Sequence, residues 1–352
     1  MRGNRSSSHR FVTIEVAKWR CTLYARGLNE IQGESDMERV IDTAVVGAGV
    51  AGLSAALFLG RADRSAIVFD GGTTRIESVG EVREYLGFDG LPPQELLSGA
   101  RAEAHKYGVE IKRQRVTSVM PRADGLFEVH HGHSVTMART VVLATGLIDK
   151  LPPLSGVPKA WGRDLRVCPC FDGYEVRGKR FVVFGVPKRL VHMASWVWMW
   201  SCDVTVVSEH AFTDAERDRL RLLDIDVIAD EVTGLVHSGE RLEALMTRKG
   251  KSIACDAAWI AADMVAASDL AASLCDVDEM GLARVDSAGR TSRPGIFAVG
   301  NAADPAAHLA HASAAGTNVG PHVVMYLLER EIERRTANQK NADSADISQR
   351  AS

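Results

Sequence analysis

Two sets of residues could do chemistry. The first is the close pair Cys168 and Cys170. Thiols so placed can exchange with a disulfide, and a disulfide across one intervening residue closes a small, strained ring that is oxidising and labile. If the segment opens a helix, its N-terminus lowers a thiol pKa and supplies the thiolate that exchange requires. The competing reading makes Cys170 a small buried hydrophobe and leaves Cys168 as the sole reactive thiol. The second set is Gly47, Gly49 and Gly52 with Asp70. Gly47 permits a tight turn, Gly49 lets backbone approach a pyrophosphate, and Gly52 lets a helix pack closely on a strand. Asp70 can accept from a ribose hydroxyl. Together they predict a bound dinucleotide.

The elements around these residues agree. Residues 39–46 read as a buried parallel strand, 50–59 as a helix, and 66–69 as a strand that ends at Asp70. A second unit repeats the pattern, with a strand at 180–185, a helix at 190–200 and a strand at 204–207. Two such units predict an α/β protein of two Rossmann-like, three-layer dinucleotide-binding domains, the second inserted in the first. Pro152, Pro153 and the glycines near 155–162 mark the first crossing; the return is expected between Gly281 and Pro294. The expected domains are 37–155 with 285–335, and 156–284. Residues 1–36 read as a dispensable extension and 336–352 as a disordered tail.

Composition narrows the class. With 42 Lys+Arg against 45 Asp+Glu and a formal net charge of −3, the 352 residues lack the basic excess of a nucleic-acid binder. No apolar run approaches the roughly 20 residues needed to span a bilayer. Six scattered cysteines predict a reducing, cytoplasmic setting rather than a disulfide scaffold. Cys202, Cys255 and Cys275 read as core thiols, and His130, His131 and His133 as surface residues of a hairpin turn. Trp196 and Trp200, on one helical face, suggest packing or a dimer interface.

In order along 38–330, five motifs resemble the thioredoxin-reductase-like flavoproteins: the glycine triplet; residues 84–93 (EYLGFDGLPP); 141–146 (VVLATG); 168–175 (CPCFDGYE); and 291–304 (TSRPGIFAVGNAAD). The resemblance implies FAD in the first domain, held by Gly47, Gly49, Ala51, Gly52, Asp70, Gly71, Thr145 and Gly146, and by Gly300 and Asn301 at the ribityl–phosphate portion. It also implies that His308, Leu309 and the helix that starts there lie near the flavin edge, with His308 and His311 as candidate bases for a substrate thiol. Asp172 matches the acid that manages the proton of a departing thiol. The family separates its redox cysteines by two residues and sets the distal one against the flavin. Here Phe171 holds the distal position, and a one-residue shift on a helix rotates a side chain by about 100°.

The second nucleotide loop departs further. Pro187 and Leu190 stand where the second and third glycines belong, and residues 208–212 (SEHAF) offer no arginine pair for a 2′-phosphate, although Glu209 could accept from a free ribose. A subgroup that resembles the gliotoxin and holomycin dithiol oxidases fits this better, since its degraded loop runs into Val-His-x-Ala, here residues 191–194 (VHMA). The resemblance therefore implies an FAD-dependent thiol/disulfide oxidoreductase, a homodimer that oxidises a small natural-product dithiol and passes the electrons to O2. The alternatives are an NAD(P)H-dependent disulfide reductase with a thioredoxin-like partner, and a non-catalytic flavoprotein.

Overall fold

The computed structural model describes residues 39–350, with side chains through 340. The expectation for 1–36, with Cys21, lies outside the described residues. β1 (Ile41–Val46), α1 (Val50–Arg61) and β2 (Ala66–Phe69) form the opening unit, and α2 (Pro93–Lys106) leads to β3 (Glu110–Lys112). β4 (Val116–Pro121), β5 (Phe127–His131) and β6 (Ser134–Leu143) follow as an antiparallel meander. The sheet runs β3-β2-β1-β6-β5-β4, and β17 (Ile296–Ala298) pairs in parallel with the end of β6. Its central strands are buried on both faces, which is why they read as continuous apolar runs.

β7 (Leu147–Lys150) carries the chain out, and β16 (Asp263–Ala266), paired antiparallel with it, brings the chain back. Between them lie α3 (Val157–Ala160), β8 (Leu165–Arg166), α4 (Pro169–Asp172), β9 (Phe181–Gly185), α5 (Pro187–Val197), β10 (Val204–Val207), α6 (Asp214–Leu222) and β11 (Asp226–Ile228). With β15 (Ala257–Ala261), these strands form a parallel sheet ordered β11-β10-β9-β15-β8. A three-stranded antiparallel sheet of β12 (Val232–Ser238), β13 (Arg241–Thr247) and β14 (Ser252–Ala254) covers one face. α7 (Leu270–Leu274), β17 and α8 (Leu309–Arg350) complete the first domain. The architecture is the expected pair of Rossmann-like domains.

Several expectations change. The return crossing is at 263–266, and Leu270, Leu274 and Ala283 bury against the first sheet, so Gly281 turns the chain within that domain. The second helix starts at Pro187 and ends at Val197, because proline at the first helical position loses no hydrogen bond. Trp200 lies past that helix and packs its ring on Gly173, where a Cβ would sit 2.7 Å from it. The segment from 336 continues α8 as far as Arg350. Elongation of a formed helix needs no new nucleus, and Arg334 and Arg335 both pair with Glu331 at the start of this stretch. Cys202 is exposed, unlike Cys255, which is buried, while Cys275 is half-buried. His131 is buried rather than on the surface: it packs on Phe69, its Nδ1 meets Gln114 Oε1 and its Nε2 meets the Thr136 hydroxyl.

Candidate active site

The glycine triplet forms a cradle at the head of β1. Gly47 has φ +118°, and a Cβ there would lie 2.2 Å from the Ala144 carbonyl oxygen. A Cβ on Gly52 would lie 2.0 Å from the Gly47 carbonyl oxygen, so helix and turn touch through backbone alone. Gly49, the N-cap of α1, faces open space instead. That space belongs to a cavity of about 410 Å³ along the end of the sheet. Gly47, Gly49, Ala51, Asp70 and Gly71 border it on one side. Thr145, Gly146, Asn301, His308 and Leu309 border it on the other, while Gly52 and Gly300 support it from behind, Gly300 against the Ala51 methyl. An open-faced glycine at a helix N-terminus, with free N–H groups and a buried acid at the far end, fits FAD.

Two arginines missed by the sequence reading hold this wall in place. Arg101 donates to Asp70 at 3.0 Å, and the other Asp70 oxygen accepts from the Gly72 N–H, so the acid is oriented from both sides. Arg75 grips Asp149 with two 2.8 Å bonds and reaches Asn301 Oδ1 at 3.4 Å. The Asn301 amide donates to the Asp304 and Ala307 carbonyls, and so shapes the loop that delivers His308. No local pattern in the sequence marks either arginine, because their partners are 31 and 74 residues away.

The thiols lie past the His308 end of this cavity. Cys168 is the extended N-cap of α4, and Pro169 is its first helical residue. Donor atoms of Cys168, Cys170 and His308 lie within 4.8 Å of one another, and both thiols are free. Cys168, Phe171 and Asp172 border a second, smaller cavity of about 110 Å³ that shares Arg75, Asn301 and His308 with the first; Cys170 does not border it. The His308 Nδ1 meets a Glu84 carboxylate oxygen at 2.9 Å, and its ring rests on Phe171 with centroids 4.8 Å apart. Glu84 holds φ +57° in the exposed loop after Val82, a conformation that the sequence does not reveal. His311 is exposed, borders neither cavity, and has its ring centroid 6.2 Å from that of His308, so the structure does not bring it to the thiols.

The electrostatics reverse one expectation. Burial pushes the Cys168 thiol up to about 12, with the Glu84 carboxylate adding to it. Burial also raises the Cys170 thiol. α4 is a single turn, too short to offset that desolvation, so the reduced pair is held as thiols. Burial raises the Asp172 carboxyl as well, against the pull of the Arg166 guanidinium 3.8 Å away.

The second nucleotide loop has no comparable cradle. Pro187 opens α5 directly after Gly185 and Val186, and Leu190 is fully buried in the core. Glu209, the candidate ribose partner, is paired with Arg248 at 3.0 Å.

Residues 41–317 match the model of the Pyridine nucleotide-disulphide oxidoreductase family. The crystal structure of HlmI superposes with a TM-score of 0.83 at 31% identity, covering 88% of this chain and 99% of that one. A putative thioredoxin reductase TrxB from Bacillus anthracis superposes with a TM-score of 0.78 at 26% identity, covering 83% and 99%. The thioredoxin reductase of Listeria monocytogenes is 24% identical over 278 residues, 75% of this chain and 86% of that protein.

Proposed function

Because the chain belongs to the pyridine nucleotide-disulphide oxidoreductase family, whose thioredoxin-reductase-like members are FAD-binding flavoproteins acting on sulfur, we propose that it oxidises a small dithiol to a disulfide with O2 as acceptor. One contrast carries this reading. The first nucleotide loop is open and glycine-lined, and its cavity shares His308 with the smaller one that Cys168 borders, while Pro187 and Leu190 fill the second loop, so electrons enter from sulfur rather than from a nicotinamide. The likeness to HlmI supports placing the chain with the gliotoxin- and holomycin-type dithiol oxidases. The homodimer and the natural-product setting belong to the same proposal.

Cys170, which does not border the cavity, is the sulfur that substrate attacks once the pair is oxidised. The substrate thiolate bonds to Cys170 Sγ, the Cys168–Cys170 bond breaks, and Cys168 leaves with the electron pair. The second substrate thiol then attacks the first substrate sulfur, which forms the product disulfide and releases Cys170. His308, held by Glu84, takes the substrate thiol proton. Asp172, beside Cys168 on the small cavity, is placed to supply the proton that its raised pKa demands. When bound, FAD would accept the electron pair from the dithiol and hand it to oxygen, giving hydrogen peroxide.

Anaerobic mixing tests the proposal. Dithiothreitol should bleach the flavin band, and NADH or NADPH should leave it intact. Rapid bleaching by NADPH would overturn it in favour of a disulfide reductase with a thioredoxin-like partner, the reading suggested by the names of the relatives. Cys168→Ser and Cys170→Ser should each abolish dithiol turnover; full activity in Cys170→Ser would remove the disulfide from the scheme.

A further inference from the structure

The cluster at the mouth of the thiol site has a composition that electron exchange does not use in full. Two sulfurs and one imidazole nitrogen lie within 4.8 Å of one another, each on a half-buried residue. A tetrahedral zinc ion with bonds of about 2.3 Å to sulfur and 2.0–2.1 Å to nitrogen spaces its ligands by roughly 3.5–3.8 Å, so adjustments of about 1 Å bring all three donors into range. The imidazole is also prepared. Glu84 engages Nδ1 at 2.9 Å and leaves Nε2 as the free nitrogen, and a carboxylate behind a ligating histidine fixes its tautomer and ring orientation. Phe171 holds the ring from its side. Partial exposure of all three residues leaves a fourth position open to water.

We propose that the reduced Cys168–Cys170 pair and His308 bind a soft divalent cation, zinc above all, at a site that exists only in the dithiol state. Both thiols lose their protons to solvent and form two metal–sulfur bonds; no electron moves. Formation of the Cys168–Cys170 disulfide removes both sulfur donors and expels the metal. A bound metal thus holds the pair reduced and blocks the next disulfide. That consequence rests on the proposed dithiol exchange, whereas the site rests only on the three side chains.

Cobalt(II) is the probe, added under argon to reduced, chelator-treated holoenzyme. The expected result is one equivalent per chain, with thiolate-to-metal absorption in the near ultraviolet and tetrahedral bands to the red of the flavin, both displaced by zinc. Wild-type enzyme oxidised with diamide should show neither, an arm that needs no mutation. Cys168→Ser, Cys170→Ser and His308→Ala should each lose the tetrahedral bands, and Glu84→Gln should weaken binding about 10–100-fold. Retention of the bands after oxidation, or only weak octahedral absorption in the reduced enzyme, would overturn the proposal. The readout is a metal spectrum, so its failure is distinct from failure of dithiol to bleach the flavin.

Discussion

At the scale of single residues, burial outweighs chain neighbourhood. Cys168 begins a helical turn, a position that favours thiolate, yet desolvation moves its thiol the other way. The same physics acts on His131, whose pKa burial lowers from the ordinary 6.5, with Lys112 and His130 nearby adding to the effect. Its neutral ring has both nitrogens engaged, by Gln114 and Thr136. Well above pH 6.5 neither state is protonated there, and the ring contributes no pH dependence. Below it the unfolded chain takes up a proton that the native ring resists, so stability falls as pH drops from 6.5 toward the folded value. His131→Gln should therefore lose less melting temperature than the wild type between about pH 7.5 and about pH 5.5. Parallel losses would show that His131 does not titrate in this window.

At the scale of elements, two glycines on α8 decide how the cofactor wall is built. A Cβ on Gly316 would lie 2.1 Å from the Ala51 carbonyl oxygen, and one on Gly320 would lie 2.3 Å from the Phe58 ring. α8 thereby touches α1 through backbone, the Ser54 and Ser313 hydroxyls meet at 3.1 Å, and Ala51 is set against the cavity. Gly316→Ala should destabilise the protein by about 1–3 kcal/mol through overpacking, and weaken FAD retention as α1 shifts. Gly99 on α2 is exposed and meets nothing within 4 Å, so Gly99→Ala should instead stabilise by about 0.5–1 kcal/mol from helix propensity. Urea midpoints of the two variants check both signs; equal shifts would refute the packing argument.

At the scale of the whole molecule, Cys168 reaches the smaller cavity because the two domains meet along a seam. Gly162, at φ +76°, lies so close to the 3₁₀ turn Arg75–Ser78 that a Cβ would fall 1.6 Å from the Ser78 carbonyl oxygen. Trp161 borders both cavities, and Arg83 pairs across the seam with Glu175 at 3.4 Å. Gly162→Ala is strained and obstructed at once, so it should part the domains while leaving each folded. Far-ultraviolet circular dichroism and bound FAD should persist, and anaerobic bleaching by dithiothreitol should slow by up to about a hundredfold, the loss that a misplacement near 1 Å can bring. An unchanged rate would mean that the seam does not position Cys168.

The parts of this protein that could be read from its residues alone are those whose cause is local. The glycine triplet and Asp70 prescribe a strand, a turn and a helix N-terminus within 24 residues, and Pro187 and Leu190 spoil the matching loop by their own shapes. Even the doubt over Cys170 followed from one residue of spacing. The remaining features join residues far apart in the chain: His308 and Glu84, Arg75 and Asp149, Arg101 and Asp70, α8 and α1. The thiol protonation state, the place of His131 in the core and the exclusion of His311 likewise depend on what packs against each group. Helix starts and turns follow from backbone sterics over a few residues, whereas desolvation and charge pairing arise only when distant segments close around a side chain and remove its water.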